Sequence, residues 1–487
     1  MDKRISVPVK REKMAYKWVV LWVVLFGVFM SLLDQTIVSI AIPRLQHAFD
    51  ASVENIQWVV TAYILTLGIF TPVVAFLSRR FGIKRIYILS LVAFTLSSAL
   101  CGWAWDLPSL ICFRILQGIG GAALFPLANA LLLRVFPPEQ RGLAMGFYAI
   151  PSILAPALGP TLGGYLITYA DWPSIFFINV PIGLLAVFLS VKFLRELDVQ
   201  KDLPFDLLGF VLVAIGLGLV FYTLSDASTV GWGSFEILSL LAVGCMALAV
   251  FVGIELRRER NHLQPLLHLS LFRNGPFLFS MLATVFLTVR LQGATFLFPL
   301  YLQESLGQTA LQAGLMLLPY ALASGVASLI GGRLVDRLGA RAVILLGVVL
   351  LIVCTWQLTF IALDSPFWWL QTLLIVQGLA LGLCYQPLIV TATAEVAPQR
   401  MALATTMNTL TRSLSSSLGI AMVATLVQIQ SQVHSVQLTK SGQQAASSVA
   451  SLSFVLALQD AFLLLTVVTV LALIAVLFIR GRRKQLL

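Results

Sequence analysis

Charged side chains are scarce in this sequence. Asp, Glu, Lys and Arg make up 11% of its 487 residues, whereas hydrophobic residues make up 59%. Because a soluble domain carries about 25% charged residues, the composition excludes that class and predicts a protein whose surface faces lipid. The net charge of +11 does not indicate nucleic-acid binding, because the cations lie in short segments between apolar runs, where they set membrane topology.

The residue patterns of metal sites and catalytic sites are also missing. The sequence has no C-x-x-C pair, no H-E-x-x-H and no G-x-x-x-x-G-K-[ST] phosphate loop. Its five cysteines lie inside apolar segments, and its four histidines lie in or beside loops, where we expect them to be solvated. Gly118 and Gly120 form a G-x-G without a preceding strand, so we expect them to serve packing. The sequence therefore predicts neither an enzyme nor a metal or cofactor site.

Long apolar runs follow one another along the whole chain. A helix of about 20 apolar residues crosses the roughly 30 Å of hydrocarbon in a bilayer. The segment 431–458, which is rich in Ser, Gln and Ala, is expected to be a long outside loop. The first run is too long for a signal peptide, so we expect it to stay as an uncleaved span. Apolar windows predict fourteen spans: 18–42, 56–77, 86–104, 108–133, 142–168, 174–194, 206–225, 234–254, 276–302, 310–334, 342–363, 366–394, 402–430 and 459–480.

The basic residues predict the orientation of these spans. An even number of spans places both termini on one side of the membrane. Most of the 32 Lys and Arg fall in loops on that side, Arg44 and Lys440 fall on the other, and Arg114, Arg290 and Arg412 fall within spans. By the positive-inside rule both termini are cytoplasmic, which predicts a multi-pass protein of the plasma (inner) membrane.

The two ends of the chain repeat each other. Segment 79–85 returns at 336–341, 116–118 returns at 376–378, and 138–141 is echoed at 398–400, each roughly 260 residues later. Each repeat holds six predicted spans, so the two repeats run in parallel, and we expect the transport site between them near the midplane. The predicted organisation is a cytoplasmic tail (1–17), a six-helix bundle (18–200), an inserted helix pair (201–260), a second six-helix bundle (261–480) and a second tail (481–487).

Two ionisable residues of opposite charge lie at similar depth in the first repeat. Asp34 lies about 13 Å before the outer end of the first span, and Arg114 lies about 9 Å inside the outer end of the fourth. A charge within hydrocarbon is costly unless it is paired or hydrated, so we expect the two side chains to face each other. A carboxylate held ionised by such a partner is a candidate proton carrier; the alternative is a purely structural pair.

Further polar residues within spans are candidates for a substrate cavity. Arg290 lies near the middle of the ninth span, and Arg412 lies within the thirteenth. Each is a candidate for binding an anionic substrate or tuning a carboxylate, or else for pairing with polar neighbours. The candidate cavity residues are Gln35, Gln117, Arg290, Asn408 and Arg412.

The fifth span combines small residues with prolines. Ala155, Gly159 and Gly163 are spaced four residues apart, and Pro151, Pro156 and Pro160 remove backbone donors. Such a helix packs closely and bends. Tight packing alone explains this pattern as well as a role in transport does.

Several of these motifs resemble the major facilitator superfamily, and more closely its fourteen-helix drug:proton antiporter subgroup. The resemblance covers nearly the whole chain: residues 33–43 resemble the first-helix signature, 114–118 the fourth-helix motif, 159–164 the fifth-helix antiporter motif, and 176–183 the segment typical of the subgroup. The arginine of the fourth-helix motif is linked in the family to proton coupling, so the resemblance implies this role for Arg114, the expected partner of Asp34. It also implies an antiporter helix built on Pro156, Gly159, Pro160, Gly163 and Gly164.

The resemblance further implies a cytoplasmic gate in the repeated loop. The first copy departs from the family pattern, because Ala75 and Arg79 stand where Gly and Asp are frequent, whereas the second copy keeps Gly332 and Asp336. Pro173-Ser174 is a second departure, where relatives often have an arginine and an aromatic residue. The candidate gate residues are Arg79, Arg80, Gly82, Lys84 and Arg85, and Asp336, Arg337, Gly339 and Arg341.

Together these features predict a secondary active exporter of lipophilic, cationic or neutral drugs, driven by proton antiport with alternating access. The proton gradient replaces a cofactor, the partners are a small lipophilic molecule, protons and the bilayer, and we expect a monomer. Whether a periplasmic adaptor takes part stays open. One alternative keeps the fold but exports an endogenous or anionic solute such as a lipid, peptide or metabolite. A second is a membrane sensor or scaffold without transport.

Overall fold

The computed structural model describes residues 9–51, 53–196, 206–231, 233–261, 267, 269–308, 310–394, 396–397, 400–440 and 446–479. Within this described part the chain forms helices and no strand. In chain order the helices are α1 Val9–Phe49, α2 Val53–Phe81, α3 Ile83–Gly102, α4 Leu107–Gly121, α5 Leu124–Val135, α6 Arg141–Tyr148, α7 Ile150–Ala170, α8 Ser174–Phe177, α9 Asn179–Phe193, α10 Leu207–Val230, α11 Phe235–Arg260, α12 Gly275–Leu300, α13 Ala310–Leu338, α14 Ala340–Gln357, α15 Phe367–Thr393, α16 Met401–Lys440 and α17 Ala446–Leu477.

The helices account for the predicted spans. Among the described residues, 13 helical segments are long and apolar enough to cross a membrane, and they coincide with every predicted span except the fifth. That span consists of α6 and α7, which Ala149 separates. Helix α7 has 21 residues, none of them charged, and its length of about 32 Å is sufficient to cross the hydrocarbon. The all-α membrane fold is confirmed.

The predicted outside loop at 431–458 is wrong. Helix α16 continues to Lys440 and α17 begins at Ala446, so most of that segment is helical. Polar residues lower the hydropathy after residue 430, although the backbone of α16 continues its helical hydrogen bonding. His434, expected to be solvated beside a loop, lies on α16 with Nε2 at 2.8 Å from Oδ2 of Asp460 on α17. His262 and His268 lie outside the described residues.

Six spans on each side of the inserted pair pack in the same pattern. Helix α1 packs against α7 as α12 packs against α16, α2 packs against α4 as α13 packs against α15, and α3 packs against α9 as α14 packs against α17. We call α1–α9 the first half and α12–α17 the second half. The membrane face at which α1 begins and α17 ends is called the terminal face, and the opposite face is called the distal face.

Close contacts between the halves lie toward the terminal face. A Cβ built on Gly332 of α13 would overlap the carbonyl oxygen of Gly142 of α6, and one on Gly146 would lie 2.7 Å from the carbonyl oxygen of Ser328. Thr405 of α16 donates its hydroxyl to the carbonyl oxygen of Pro126 of α5 at 3.0 Å. Backbone meets backbone here because glycines leave no side chain between the helices.

The inserted pair, α10 and α11, lies against the seam between the halves. Helix α10 packs against α11, against α2 of the first half and against α16 of the second. At the start of α10, Asp206 pairs with Arg258 of α11 at 2.8 Å. The pair therefore contacts both halves at once.

Candidate functional site

Asp34 of α1 lies at the centre of a buried hydrogen-bond cluster. Its Oδ2 accepts from Nη1 of Arg114 at 2.7 Å, and its Oδ1 accepts from Nε2 of Gln117 and Nδ2 of Asn179, each at 2.9 Å. All four side chains are almost completely buried, with exposures of 0 to 1%. Three donors satisfy both oxygens of this carboxylate. We call these four residues the Asp34 cluster.

The guanidinium of Arg114 of α4 contacts several neighbours at once. Nη1 also donates to Oε1 of Gln117 at 2.7 Å, and Nε donates to the carbonyl oxygen of Val59 on α2 at 3.0 Å. The guanidinium lies over the ring of Tyr63, 4.2 Å from the centroid. Because Arg114 touches α1, α2 and its own helix, any movement among them changes its contacts.

Asn179 is a member of the cluster that the sequence analysis did not assign. Its Nδ2 also donates to Oγ of Ser98 at 3.1 Å, and that hydroxyl donates to the carbonyl oxygen of Phe176 at 2.9 Å. The sequence offered one sign of this role: Asn179 is a single amide at the start of a long apolar helix, within the motif 176–183. A buried amide in a membrane helix needs polar partners, but its partners depend on how α9 faces α1 and α3.

Local structure places α4 so that Arg114 reaches Asp34. Asp106 caps the helix and accepts from the backbone N–H of Ser109 at 2.8 Å, and Ser109 bonds back to Asp106. This hydrogen bonding lowers the pKa of Asp106, so the cap is present over a wider range of acidic pH. Gly118 and Gly120 let α4 approach α2 and α3, because a Cβ would lie 2.9 Å from the carbonyl oxygen of Tyr63 and 3.0 Å from Cα of Phe94. These glycines serve packing, as expected.

The proline-rich helix α7 packs against α1 beside the Asp34 cluster. A Cβ on Gly159 would overlap the hydroxyl of Thr36, which lies two residues beyond Asp34 and donates to the carbonyl oxygen of Ala155 at 3.2 Å. A Cβ on Gly163 would make ordinary contact with Ile37 at 3.6 Å, and one on Gly164 would meet nothing within 4 Å. The side chains of Pro156 and Pro160 lie outside the described residues.

The first copy of the gate loop is held by an acid that sequence reasoning missed. Gly82 has φ 100°, and the backbone N–H groups of Lys84 and Arg85 donate to Oε1 and Oε2 of Glu196 at 3.0 and 3.2 Å. Glu196 thereby binds the positive end of α3, a favourable place for a carboxylate. Arg79 is buried and Arg80 lies over the ring of Phe81, 5.6 Å from its centroid.

The second copy of the gate loop keeps the turn but has a different anchor. Gly339 has φ 87°, and Nη2 of Arg341 donates to the carbonyl oxygen of Leu477 at 2.8 Å. Arg337 is exposed. The side chain of Asp336 lies outside the described residues.

The remaining candidate cavity residues are spread over the second half and α1. The structure brings Gln117 into the Asp34 cluster, whereas Gln35 donates to the carbonyl oxygen of Ser31 at 3.3 Å. Arg412 lies over the ring of Tyr385 at 4.5 Å, and Asn408 is buried. Arg290 bonds Thr355 within the second half.

The chain matches the model of the Major Facilitator Superfamily over residues 24–420. Among curated proteins it is 32% identical to the multidrug export protein EmrB of Escherichia coli (strain K12), over 85% of this chain and 80% of the relative. It is 32% identical to the putative multidrug resistance protein MdtD of Pectobacterium atrosepticum, over 85% and 88%. The uncharacterized MFS-type transporter YhcA of Bacillus subtilis is also 32% identical, over 87% and 79%.

Solved structures share the fold at low sequence identity. The human organic anion transporter MFSD10 superposes with a TM-score of 0.65 at 14% identity, over 93% of this chain and 99% of that one. The proton:xylose symporter XylE superposes with a TM-score of 0.66 at 13% identity, over 97% of each chain. With the family model covering most of the sequence and relatives aligned over most of their length, the chain belongs to the Major Facilitator Superfamily and is a transporter rather than an enzyme.

Proposed function

We propose that this transporter exports lipophilic, cationic or neutral drugs across the inner membrane in exchange for protons, and that Asp34 is the proton carrier. The observation that carries the proposal is the carboxylate of Asp34, which is fully buried and accepts hydrogen bonds from three side chains on two other helices. A buried carboxylate within a membrane span is a functional-site candidate by default. The terminal face is then the cytoplasmic face, as the basic residues predict.

Protonation changes both the charge and the hydrogen bonding of Asp34. The ionised carboxylate attracts Arg114 by charge and accepts three hydrogen bonds; the protonated carboxyl loses the charge and one acceptor oxygen becomes a donor. Arg114 is then left as a buried cation without its counter-charge, which is strongly unfavourable. Rearrangement of α1 against α4 relieves this cost, so proton binding favours a different arrangement of helices.

Contacts lead from the cluster to the contact between the halves. Thr36 follows Asp34 on α1 and touches α7 at Ala155 and Gly159. Helix α7 continues into α6, whose Gly146 lies against the backbone of Ser328 on α13 of the second half. A shift of α1 therefore acts on the contacts that hold the terminal face together, which is the coupling that alternating access requires.

The substrate class rests on the relatives. The names of EmrB and MdtD refer to multidrug export and multidrug resistance, and the chain resembles both over most of its length. Drugs that partition into the bilayer suit a protein with 59% hydrophobic residues.

We propose that the chain works as a monomer; the need for a periplasmic adaptor is a separate question.

The test is accumulation of a lipophilic cationic dye in inverted membrane vesicles under an imposed pH gradient. Wild type should accumulate the dye, and Asp34→Asn should lose at least about 90% of this activity while keeping its Tm within a few degrees, because the amide keeps the shape but cannot carry a proton. The matched control is Asp171→Asn, which removes an exposed carboxylate that pairs with Arg44 at 3.2 Å.

Full accumulation by Asp34→Asn would contradict the proposal, and equal loss in both variants would indicate a general effect of removing a negative charge. If wild type accumulates no dye but transports another solute under the same gradient, the drug assignment fails and proton coupling stands.

A further inference from the structure

Arg290 of α12 is a completely buried cation with an incomplete set of partners. Its exposed fraction is 0%, and its Nε and Nη2 donate to the hydroxyl of Thr355 at 3.2 and 3.1 Å. Its Nη1 has no hydrogen-bond partner among the described residues. The nearby titratable groups in this part of the chain are Tyr320, Cys354 and Cys384, none of which is a carboxylate.

The repeat places Arg290 at the position that Asp34 holds in the first half. Pro43 of α1 corresponds to Pro299 of α12, and counting back nine residues from each leads from Pro43 to Asp34 and from Pro299 to Arg290. The two halves therefore carry opposite charges at equivalent points of equivalent helices.

The partners follow the same correspondence. Gly82 and Gly339 open α3 and α14, and Ser98 and Thr355 each lie sixteen residues after those glycines. Ser98 accepts a hydrogen bond from the Asp34 cluster, and Thr355 accepts from Arg290. The second half thus has a hydroxyl at the position equivalent to Ser98, but its central charged residue is the cation Arg290 instead of a carboxylate.

A second donor in the second half also has no acceptor. Gln377 of α15 corresponds to Gln117, whose Nε2 donates to Asp34. Nε2 of Gln377 has no hydrogen-bond partner among the described residues, although the side chain is 2% exposed. Helices α12 and α15 pack against each other. Leu374 stands at the position equivalent to Arg114, so no second cation is supplied there.

We propose that the second half binds one small monovalent anion between Arg290 and Gln377. The anion accepts hydrogen bonds from Nη1 of the guanidinium and from Nε2 of the amide, and it neutralises the buried charge. A monovalent anion neutralises the single guanidinium, whereas a divalent anion would leave an excess negative charge in the same apolar surroundings. Its source is either a free halide or the carboxylate of a transported compound. The site does not depend on proton coupling through Asp34.

The experiment measures the Tm of the purified full chain in detergent at constant ionic strength, with sodium gluconate replaced stepwise by chloride, bromide or acetate. Gluconate is the bulky reference anion. A ligand that binds only the folded state raises the Tm, so we expect a saturable rise of about 2 °C or more. A rise with halides alone identifies an inorganic anion, and a rise with acetate as well admits a substrate carboxylate. No rise with any of the three overturns the proposal.

Variants assign the effect to the site. Arg290→Gln should abolish the rise, Gln377→Leu should raise the half-saturating concentration at least about tenfold by removing one charge-assisted donor, and Arg290→Lys should keep a weaker response. The matched control Arg333→Gln removes an exposed cation of α13 in the second half and should respond like wild type. An unchanged response in both Arg290→Gln and Gln377→Leu would overturn the proposal. If Arg290→Gln does not fold, Gln377→Leu decides alone. Because the measurement is of binding, loss of dye transport does not affect it.

Discussion

At the scale of single residues, the geometry of Arg114 matters as much as its charge. Its guanidinium bonds Asp34, Gln117 and the backbone of Val59 at once, and it lies over the ring of Tyr63. A lysine ammonium is a compact charge that does not reproduce this fork or the stacking. We therefore expect Arg114→Lys to reduce proton-driven dye transport at least about tenfold and to lower stability by about 1–3 kcal/mol, because buried donors and acceptors lose their partners.

The matched control is Arg44→Lys, which alters an arginine whose side chain is 53% exposed and pairs with Asp171. Transport rates and Tm values of both variants, measured in the same membranes, check the prediction. Wild-type transport by Arg114→Lys would mean that charge alone is sufficient at this position.

Some of these side-chain contacts could be predicted from the sequence, and others could not. Depth along their spans was enough to pair Asp34 with Arg114, because both are charged and both need a partner. Asn179 and Ser98 were missed because their roles depend on which faces of α9 and α3 turn toward α1, and rotation of an apolar helix is set by packing. Arg290 was assigned to a span and to a candidate cavity, but its bond to Thr355 depends on how α12 faces α14.

At the scale of helices, the close contact of α1 with α7 is the most sharply testable. Gly159→Ala places a methyl group against the hydroxyl and Cβ of Thr36, the latter at 2.7 Å, and a β-branched side chain has few rotamers in a helix. We expect the helices to separate, with a loss of about 1–3 kcal/mol in stability and a clear fall in dye transport. The same substitution at Gly164, where a Cβ meets nothing within 4 Å, should leave both unchanged.

The double variant Thr36→Ala, Gly159→Ala removes the hydroxyl but keeps Cβ of residue 36, so it should recover part and not all of the Tm lost in Gly159→Ala. Equal Tm values for the Gly159→Ala and Gly164→Ala proteins would show that the contact does not constrain α7.

Helix lengths show where sequence patterns are reliable and where they fail. The apolar windows located the spans because hydropathy reports the thickness of lipid that a helix crosses. They missed the extensions of α16 and α17, because helix formation outside the lipid depends on propensity and on packing such as the contact of His434 with Asp460. They also predicted one fifth span where α6 and α7 meet at Ala149, since hydropathy does not register an interruption of one residue.

At the scale of the whole molecule, the two halves share one arrangement of helices but carry opposite charges at equivalent buried positions. Equivalent helices pack alike. However, Asp34 and its hydrogen-bond donors lie in the first half, whereas the second half holds Arg290, whose Nη1 has no acceptor among the described residues. The repeat was visible in the sequence because loop motifs and glycines recur at a nearly constant interval. The charged residues were visible too, but the loop motifs did not reveal that Asp34 and Arg290 are equivalent, because corresponding positions carry unlike residues; counting back from Pro43 and Pro299 reveals it.

The close backbone contact of the halves at the terminal face predicts how one methyl group shifts their equilibrium. Gly332→Ala would place a Cβ onto the carbonyl of Gly142, with its carbon at 2.7 Å and Cα of Leu143 at 3.1 Å. Backbone atoms cannot move aside as a flexible side chain does, so we expect α13 and α6 to separate and the arrangement open at the terminal face to gain population. Gly253→Ala is the control, because a Cβ there meets nothing within 4 Å.

A cysteine at Thr405 reports this opening. Thr405 is 1% exposed and bonds Pro126 across the contact between the halves, so Thr405→Cys should react slowly with a membrane-impermeant maleimide supplied at the terminal face. Cys112 and Cys245, which are exposed, are replaced by serine in all proteins compared. Adding Gly332→Ala should speed labelling about tenfold, which corresponds to about 1.4 kcal/mol in the population of the open arrangement, and adding Gly253→Ala should not. Equal labelling rates in the two backgrounds would mean that the glycine contact does not hold the terminal face closed.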